Sequence, residues 1–313
     1  MQQFSIKRKN FGRIGVFLGG NSRERPISLK SGKAVYEALV NAGQNPVLID
    51  TANGFRSKLE DKLIDVAFLA LHGTGGEDGT IQKILGRYRI PYTGSGPKAS
   101  ESAFNKERAK RILKRSSIPT PDYEVMNKHN WREVIRRWEP PYVVKPLKEG
   151  SSIGIFFVER KNSGLTKIKS GLTRYGRLMV ERKIEGREFT VGILGDRALP
   201  VVELKPKRRF YDFKAKYTKG LTEYLAPAPI TDNLKTRLQK MALKTHRALG
   251  LNDFSRVDFK VDRDQNLYVL EANSIPGFTE TSLLPKAAQC AGLDFEGLCL
   301  YLLDQAVQGK RKS

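Results

Sequence analysis

Residues 254–273 read FSRVDFKVDRDQNLYVLEAN, two runs of alternating apolar and polar residues on either side of Asp262 to Asn266. Turn-forming residues between two period-2 runs predict an antiparallel hairpin. Alternation places Val257, Phe259 and Val261 on a core face with Tyr268, Leu270 and Ala272. Arg256, Asp258 and Lys260 fall on the other face with Val269, Glu271 and Asn273. An even-numbered loop centred on Asp264 and Gln265 sets Asp258 opposite Glu271 and Arg256 opposite Asn273, whereas an odd-numbered loop shifts the pairing by one. Two carboxylates opposed at about 5 Å repel unless something positive lies between them. The oxygens of Asp, Glu and Asn are hard donors that suit Mg²⁺ or Mn²⁺. The same pattern also suits an ordinary amphipathic hairpin whose acids pair with Arg256 or Lys260, and the hairpin alone does not choose between the two.

Working outward, REFTVGILG and LPVVELKP precede the hairpin as strands, a helix is expected over 233–249, and a helical tail follows. At the N-terminal end RIGVFLG (13–19) and PVLID (46–50) flank a helix that starts near Pro26 and ends at Gly43. DVAFLALH (65–72) and IPYTG (90–94) continue the alternation, which predicts a small parallel α/β domain over residues 1–96. A single basic helix from Ser100 leads to the break at Pro119 and Pro121. The segments YEVM, PYVVKPL, GIFFVE and LMVERK then predict a mixed α+β module over 97–184, leaving 185–313 as a third unit that carries the hairpin.

At 313 residues each unit can bury a core of its own. Cys290 and Cys299 lack CxxC spacing, so neither a disulfide framework nor a zinc site is expected, and a reducing cytoplasm fits. No apolar run approaches the roughly 18 residues needed to span a bilayer, so no membrane insertion is expected. The net charge is +23, and residues 97–184 hold 21 Lys and Arg against 9 Asp and Glu. Basic residues interspersed with acids along helices read as a solvated surface in preference to a nucleic-acid or other polyanion face.

Other segments contain groups suited to a nucleoside triphosphate. Lys145 ends the strand PYVVKPL and is followed by a Gly-Ser-rich turn, Gly150 to Gly154, whose small residues allow backbone N–H groups to approach phosphate oxygens. Read singly, Lys145 is a solvent lysine beside a hairpin turn, and Glu181 and Glu188 are surface glutamates. HGTGGEDG (72–79) is a glycine-rich loop after the third strand, where α/β sheets place ligands. Three histidines, with no HExxH, GxxxxGK[ST] or GxSxG, exclude histidine-rich metal chemistry and the commonest phosphate and hydrolase motifs.

In order along the chain, GGNSRERPISL, LHGTGGEDG, PYTGSG, VVKPLKEGSSIG, REFTVGILG, FYDFKAKY, SRVDF and LEANSIPGFTETSL resemble the D-alanine–D-alanine ligases of the ATP-grasp superfamily, over residues 13 to 305. The resemblance implies a three-domain ATP-grasp fold, ATP gripped between the second and third domains, formation of D-alanyl-D-alanine for peptidoglycan, and a homodimer. It implies that Lys106 and Lys145 bind the ATP phosphates, Glu181 and Glu188 the adenine and ribose, and Lys216 the γ-phosphate. Asp258, Glu271 and Asn273 would hold two Mg²⁺ or Mn²⁺ ions. Glu24 would bind the ammonium of the first D-alanine and join Ser151 and Tyr217 in a set that closes the loop around 205–228. His72 would line the substrate site, Ser282 and the Leu283 backbone would receive the second carboxylate, and Arg256 with the Gly277 N–H would stabilise the oxyanion. Tyr217 favours D-alanine over D-lactate as the second substrate. Pro26 and the PGF at 276–278 depart from the commoner residues at those places without removing a charged participant.

Overall fold

The computed structural model describes residues 9–60, 63–207 and 220–309, which form three sheets with helices packed against them. In the first, β1 (Arg13–Leu18), β2 (Asn45–Asp50) and β3 (Val66–Leu69) are parallel in the order β2-β1-β3. Helix α1 (Arg25–Asn41) makes the crossover, begins with Pro26 in its first turn and stops before Gly43, at φ +71°. Two short helices follow, α2 (Arg56–Glu60) and α3 (Thr80–Arg87). The expected strand over 90–94 is reduced to a single bridge between Ala67 and Tyr92, because Gly94, at φ +95°, turns the chain out of the sheet.

The basic helix predicted as one piece is two, α4 (Pro97–Phe104) and α5 (Lys106–Arg115). Asn105 between them is extended, and its side-chain oxygen accepts the Arg108 N–H, an N-cap that starts a new helix on a new axis. The chain then builds an antiparallel sheet, order β4-β7-β5-β6, from β4 (Tyr123–Asn127), β5 (Tyr142–Pro146), β6 (Phe156–Val158) and β7 (Arg177–Arg182). Helices α6 (Trp131–Arg137) and α7 (Leu165–Tyr175) cover one face, burying Val134 and Ile168 against Met126, Val144 and Val180. The other face remains for α5 and the site.

The third sheet runs β11-β10-β8-β12-β13, with β9 (Arg197–Ala198) beside β8. Its strands are β8 (Arg187–Leu194), β10 (Val202–Pro206), β11 (Thr222–Leu225), β12 (Phe254–Val261) and β13 (Leu267–Asn273). Helix α8 (Asp232–Ala248), capped by Thr231, packs Leu234, Leu238 and Ala242 on the sheet's buried face. Helices α9 (Leu283–Cys290) and α10 (Phe295–Gly309) close the other side and join the core of the first sheet.

The hairpin forms, with Asp258 opposite Glu271 and Arg256 opposite Asn273 as the even-numbered loop requires. The loop itself is odd, with Val261 paired to Leu267, and a register shift between Asp258 and Phe259 restores the upper pairs. That bulge corrects the predicted faces. Leu267 and Val269 pair with Val261 and Phe259 in the core, whereas Tyr268 pairs with Lys260 on the far face and Leu270 is only half-buried. An extra residue in one strand reverses the face of everything beyond it, and periodicity alone does not reveal where it lies.

The first sheet meets the third at an aromatic seam, where Phe278 stands edge-on to both Phe68 and Phe254, with centroids 5.2 and 5.4 Å apart. Beside it Asp253 Oδ2 accepts the Gly94 N–H at 2.9 Å. Burial, opposed by this hydrogen bond, pushes the Asp253 carboxyl up to about 6. Its folded pKa thus exceeds the unfolded value of 3.8, so stability associated with the neutral form is complete below 3.8 and declines as pH rises to 6. Asp253→Asn keeps an acceptor for Gly94 and is expected to stabilise the protein by about 1–2 kcal/mol at pH 7. Thermal unfolding of the two proteins should give curves that converge toward pH 4.

Candidate active site

Three glycine-rich stretches meet around one carboxylate. Glu24 precedes α1 and is 6% exposed. A Cβ on Gly150 would lie 2.5 Å from its Oε2, and one on Gly73, at φ +70°, 2.8 Å, so side chains at either position would exclude the carboxylate. Ser151, at φ +49°, donates its hydroxyl to Glu24 Oε1. The predicted contact between Glu24 and Ser151 is present, whereas Lys216 and Tyr217 lie outside the described residues.

Glu24 and Ser151 open onto a cavity of about 180 Å³ that His72, Arg256, Glu271, Asn273, Gly277, Ser282 and Leu283 also line. Ser282 precedes α9 and accepts the Thr279 N–H at 3.1 Å, so the first backbone N–H of the helix, at Leu283, sits at the positive end of the helix dipole. That end suits a carboxylate. Burial, aided by the charge of Arg256, pushes His72 down to about 4, so its ring is neutral near pH 7 and meets the Ser31 hydroxyl at 3.2 Å.

The hairpin supplies the acidic wall. Asp258 accepts from Arg256 Nε and Nη2, both at 2.9 Å, from Thr190 Oγ1 at 2.6 Å and from Asn273 Nδ2 at 3.1 Å. Asn273 thus meets Asp258 through its amide N–H, and its carbonyl oxygen is a hard donor. Glu271, directly across the strands, has Lys106 Nζ at 3.9 Å. Among the described residues no three His, Cys, Asp or Glu side chains form a metal cluster. Two carboxylates and an amide are therefore the available donors, a set that fits Mg²⁺ or Mn²⁺ with phosphate oxygens completing the shell.

The two lysines expected to meet the triphosphate lie deeper than their sequence suggests. Lys106 opens α5, is buried and donates to the Glu149 carbonyl at 2.5 Å. Lys145, read singly as a solvent lysine, is 6% exposed and bonded to Glu181 Oε1 at 2.6 Å. Glu181, read as a surface glutamate, is 3% exposed. Burial opposes its charge, but Lys145 and Lys110 outweigh burial and hold its carboxyl below the usual range. Glu188 is half-buried on β8 and paired with Lys260 at 3.0 Å.

Residue type and periodicity do not mark three further residues of the site. Ser31 accepts the Phe278 N–H at 3.3 Å and so anchors the peptide that follows Gly277. Glu77 lines the cavity, and burial followed by repulsion from Glu24 pushes its carboxyl well above the usual carboxylate range. Lys110 is 1% exposed and paired with Glu181. Its available signal was position: it lies four residues after Lys106, on the same helical face.

The chain matches the family models for the D-ala D-ala ligase N-terminus over residues 50–95 and the D-ala D-ala ligase C-terminus over 112–304. It is 43% identical over 311 residues to a D-alanine–D-alanine ligase of Carboxydothermus hydrogenoformans, covering 96% of this chain and all of that one. With the ligase of Aquifex aeolicus it shares 44% over 293 residues, 93% of this chain and 99% of the other. The crystal structure of the Bacillus anthracis D-alanine–D-alanine ligase superposes with a TM-score of 0.86 at 33% identity, covering 96% of this chain and 99% of that one. The same enzyme complexed with ATP gives 0.83 at 30%, with the same coverage. Among the described residues no helix is long and apolar enough to cross a membrane. Three sheets in this arrangement, a cavity lined by the third sheet together with helix α1 and loops that leave the other two, and matches along nearly the whole length show that the chain belongs to the D-alanine–D-alanine ligase family.

Proposed function

We propose that this chain joins two D-alanines at the expense of ATP, through a D-alanyl phosphate, to make the dipeptide used in peptidoglycan. The observation that carries the reading is the single cavity in which Glu24, Arg256, Glu271, Gly277 and Ser282 converge. A carboxylate is a poor acyl donor, so its oxygen first takes the γ-phosphoryl group of ATP and ADP leaves. Glu24, with Ser151, receives the ammonium of the first D-alanine and fixes its carboxylate for that transfer. Lys106, Lys145 and Lys216 bind the phosphates, and Glu181 and Glu188 the adenine and ribose. Asp258, Glu271 and Asn273 would hold Mg²⁺ or Mn²⁺, which when bound neutralises charge on the transferred group. Ser282 and the Leu283 N–H hold the second carboxylate, placing its amine to attack the acyl carbon. The oxyanion so formed is received by Arg256 and the Gly277 N–H, and phosphate departs as the peptide bond closes.

We assign residues 1–96 to first-substrate binding, 97–184 and 185–313 to the two sides of the ATP grip, and the reaction to the cytoplasm, where ATP is made. Tyr217 belongs to the substrate-closing set and favours an amine as nucleophile. The test is ADP release across D-alanine, D-serine, D-lactate and L-alanine, with product masses recorded. Release that requires D-alanine and Mg²⁺, with D-alanyl-D-alanine as product, is expected; ADP release with L-amino acids alone would sink the reading.

A further inference from the structure

Three charged side chains, each under a tenth exposed, meet on the face of the second sheet opposite its hydrophobic core: Lys110 at 1%, Glu181 at 3% and Lys145 at 6%. Glu181 gives one oxygen to each lysine, Oε1 to Lys145 and Oε2 to Lys110. The two lysines are held very differently. Lys145 has no partner but Glu181 among the described residues. Lys110 also donates to Thr120 Oγ1 at 2.6 Å and to the Pro121 carbonyl at 3.2 Å, and lies 5.3 Å from the centroid of the Tyr123 ring. Thr120 in turn donates to the Val269 carbonyl at 2.8 Å, so the seat of Lys110 is tied to β13 of the third sheet. Tyr123 pairs directly with Glu181 across β4 and β7, so ring, carboxylate and ammonium share one face.

A triphosphate that recruits Lys145 draws it from Glu181. A buried carboxylate stripped of its only cation would take up a proton or lose its orientation. Here a second cation remains in place. We propose that Lys110 is a positioning residue of the nucleotide site: it is the standing counter-ion of Glu181, keeping that carboxylate ionised and aimed while Lys145 exchanges Glu181 for the phosphates. The inference rests on the reading of this site as the ATP site. It gives the two lysines distinct roles, Lys145 as the exchangeable partner and Lys110 as the fixed one. Burial drags Lys110 down to about 8 despite the pull of Glu181, with Lys145 and Lys114 repelling it further, so the ion pair is what sustains its charge.

The test is Lys110→Met, close in volume, with binding of a non-hydrolysable ATP analogue measured by calorimetry without D-alanine and steady-state kinetics measured beside it. Affinity for the nucleotide, and KM for ATP, are expected to weaken by about 10- to 100-fold, the usual worth of a charged hydrogen bond, with KM for D-alanine unchanged. In the double variant Lys110→Met/Glu181→Gln the neutral amide needs no counter-ion, so its nucleotide affinity should equal that of Glu181→Gln alone. Additive losses in the double variant, equal rises in both KM values, or a lowered Tm with unchanged nucleotide affinity would each overturn the proposal. Should Lys110→Met not fold, Thr120→Val loosens the same seat and must show the same split between the two KM values. Absence of D-alanine-dependent ADP release in the unmodified chain would refute the ligase reading instead, and leaves the nucleotide-affinity comparison standing.

Discussion

Asp258→Asn lowers turnover about a thousandfold or more, while the protein stays folded and its half-saturating Mg²⁺ concentration rises. Asparagine has the size of aspartate and keeps one oxygen acceptor, so the hydrogen bond from Thr190 at 2.6 Å can survive in a site already 14% exposed. The charge does not survive. Asp258 stands directly across β12 and β13 from Glu271, and one carboxylate against an amide no longer offers the doubly negative pair that would bind a divalent cation in preference to a lysine. The Arg256 fork, now bonded through Nε and Nη2 to the two carboxylate oxygens, would face an amide that offers one acceptor and one donor. In the proposed mechanism both phosphoryl transfer and oxyanion capture lose their alignment, which is why the expected effect exceeds that of removing a single donor. Steady-state ADP release titrated with Mg²⁺, with thermal unfolding as the control for folding, decides it; turnover within tenfold of the unmodified chain would show that the acids of the hairpin carry no ion.

How much of this site the sequence discloses depends on what each signal measures. An even-numbered loop sets Asp258 opposite Glu271, and the pairing holds although the loop is odd because the five-residue loop and the bulge, each shifting the register, cancel above Phe259. Below the bulge they do not cancel, so alternation puts Tyr268 and Leu270 in a core that Leu267 and Val269 occupy. Residue type also misstates burial where charges neutralise one another. Glu181 and Lys145 read as solvent-facing, yet mutual pairing with Lys110 lets all three enter the interior. Lys110 was hidden in KERAKR, where five charges in six residues read as a solvated helix. Glu24 lies between Gly73 and Gly150, brought together from distant segments, an approach that only tertiary structure exposes. The eight motifs supplied what periodicity could not, because they carry spacing between segments as well as within them.

Arg256→Lys is expected to reduce kcat by about 10²- to 10³-fold with little change in KM for ATP, the size of effect seen when one oxyanion donor is lost. Lysine preserves the positive charge beside Asp258 but replaces a planar fork with a single point donor, so it cannot grip both carboxylate oxygens and still face the cavity. Arg256→Met separates charge from geometry. It leaves Asp258, 14% exposed, without its cation, and breaking such a pair costs about 3–5 kcal/mol when fully buried and somewhat less here. The methionine variant should therefore unfold at lower temperature, and the lysine variant should not. If Arg256 served only to neutralise Asp258, lysine would restore activity as well as stability. Stability restored with kcat still depressed is the result that assigns Arg256 to the intermediate, because Ser31, holding the Phe278 N–H, already fixes the neighbouring Gly277 peptide and leaves the guanidinium as the part of the proposed oxyanion site that the substitution changes. Measuring kcat, KM and Tm for the two variants side by side separates these outcomes, and equal kcat in the lysine variant and the unmodified chain would remove Arg256 from the chemistry.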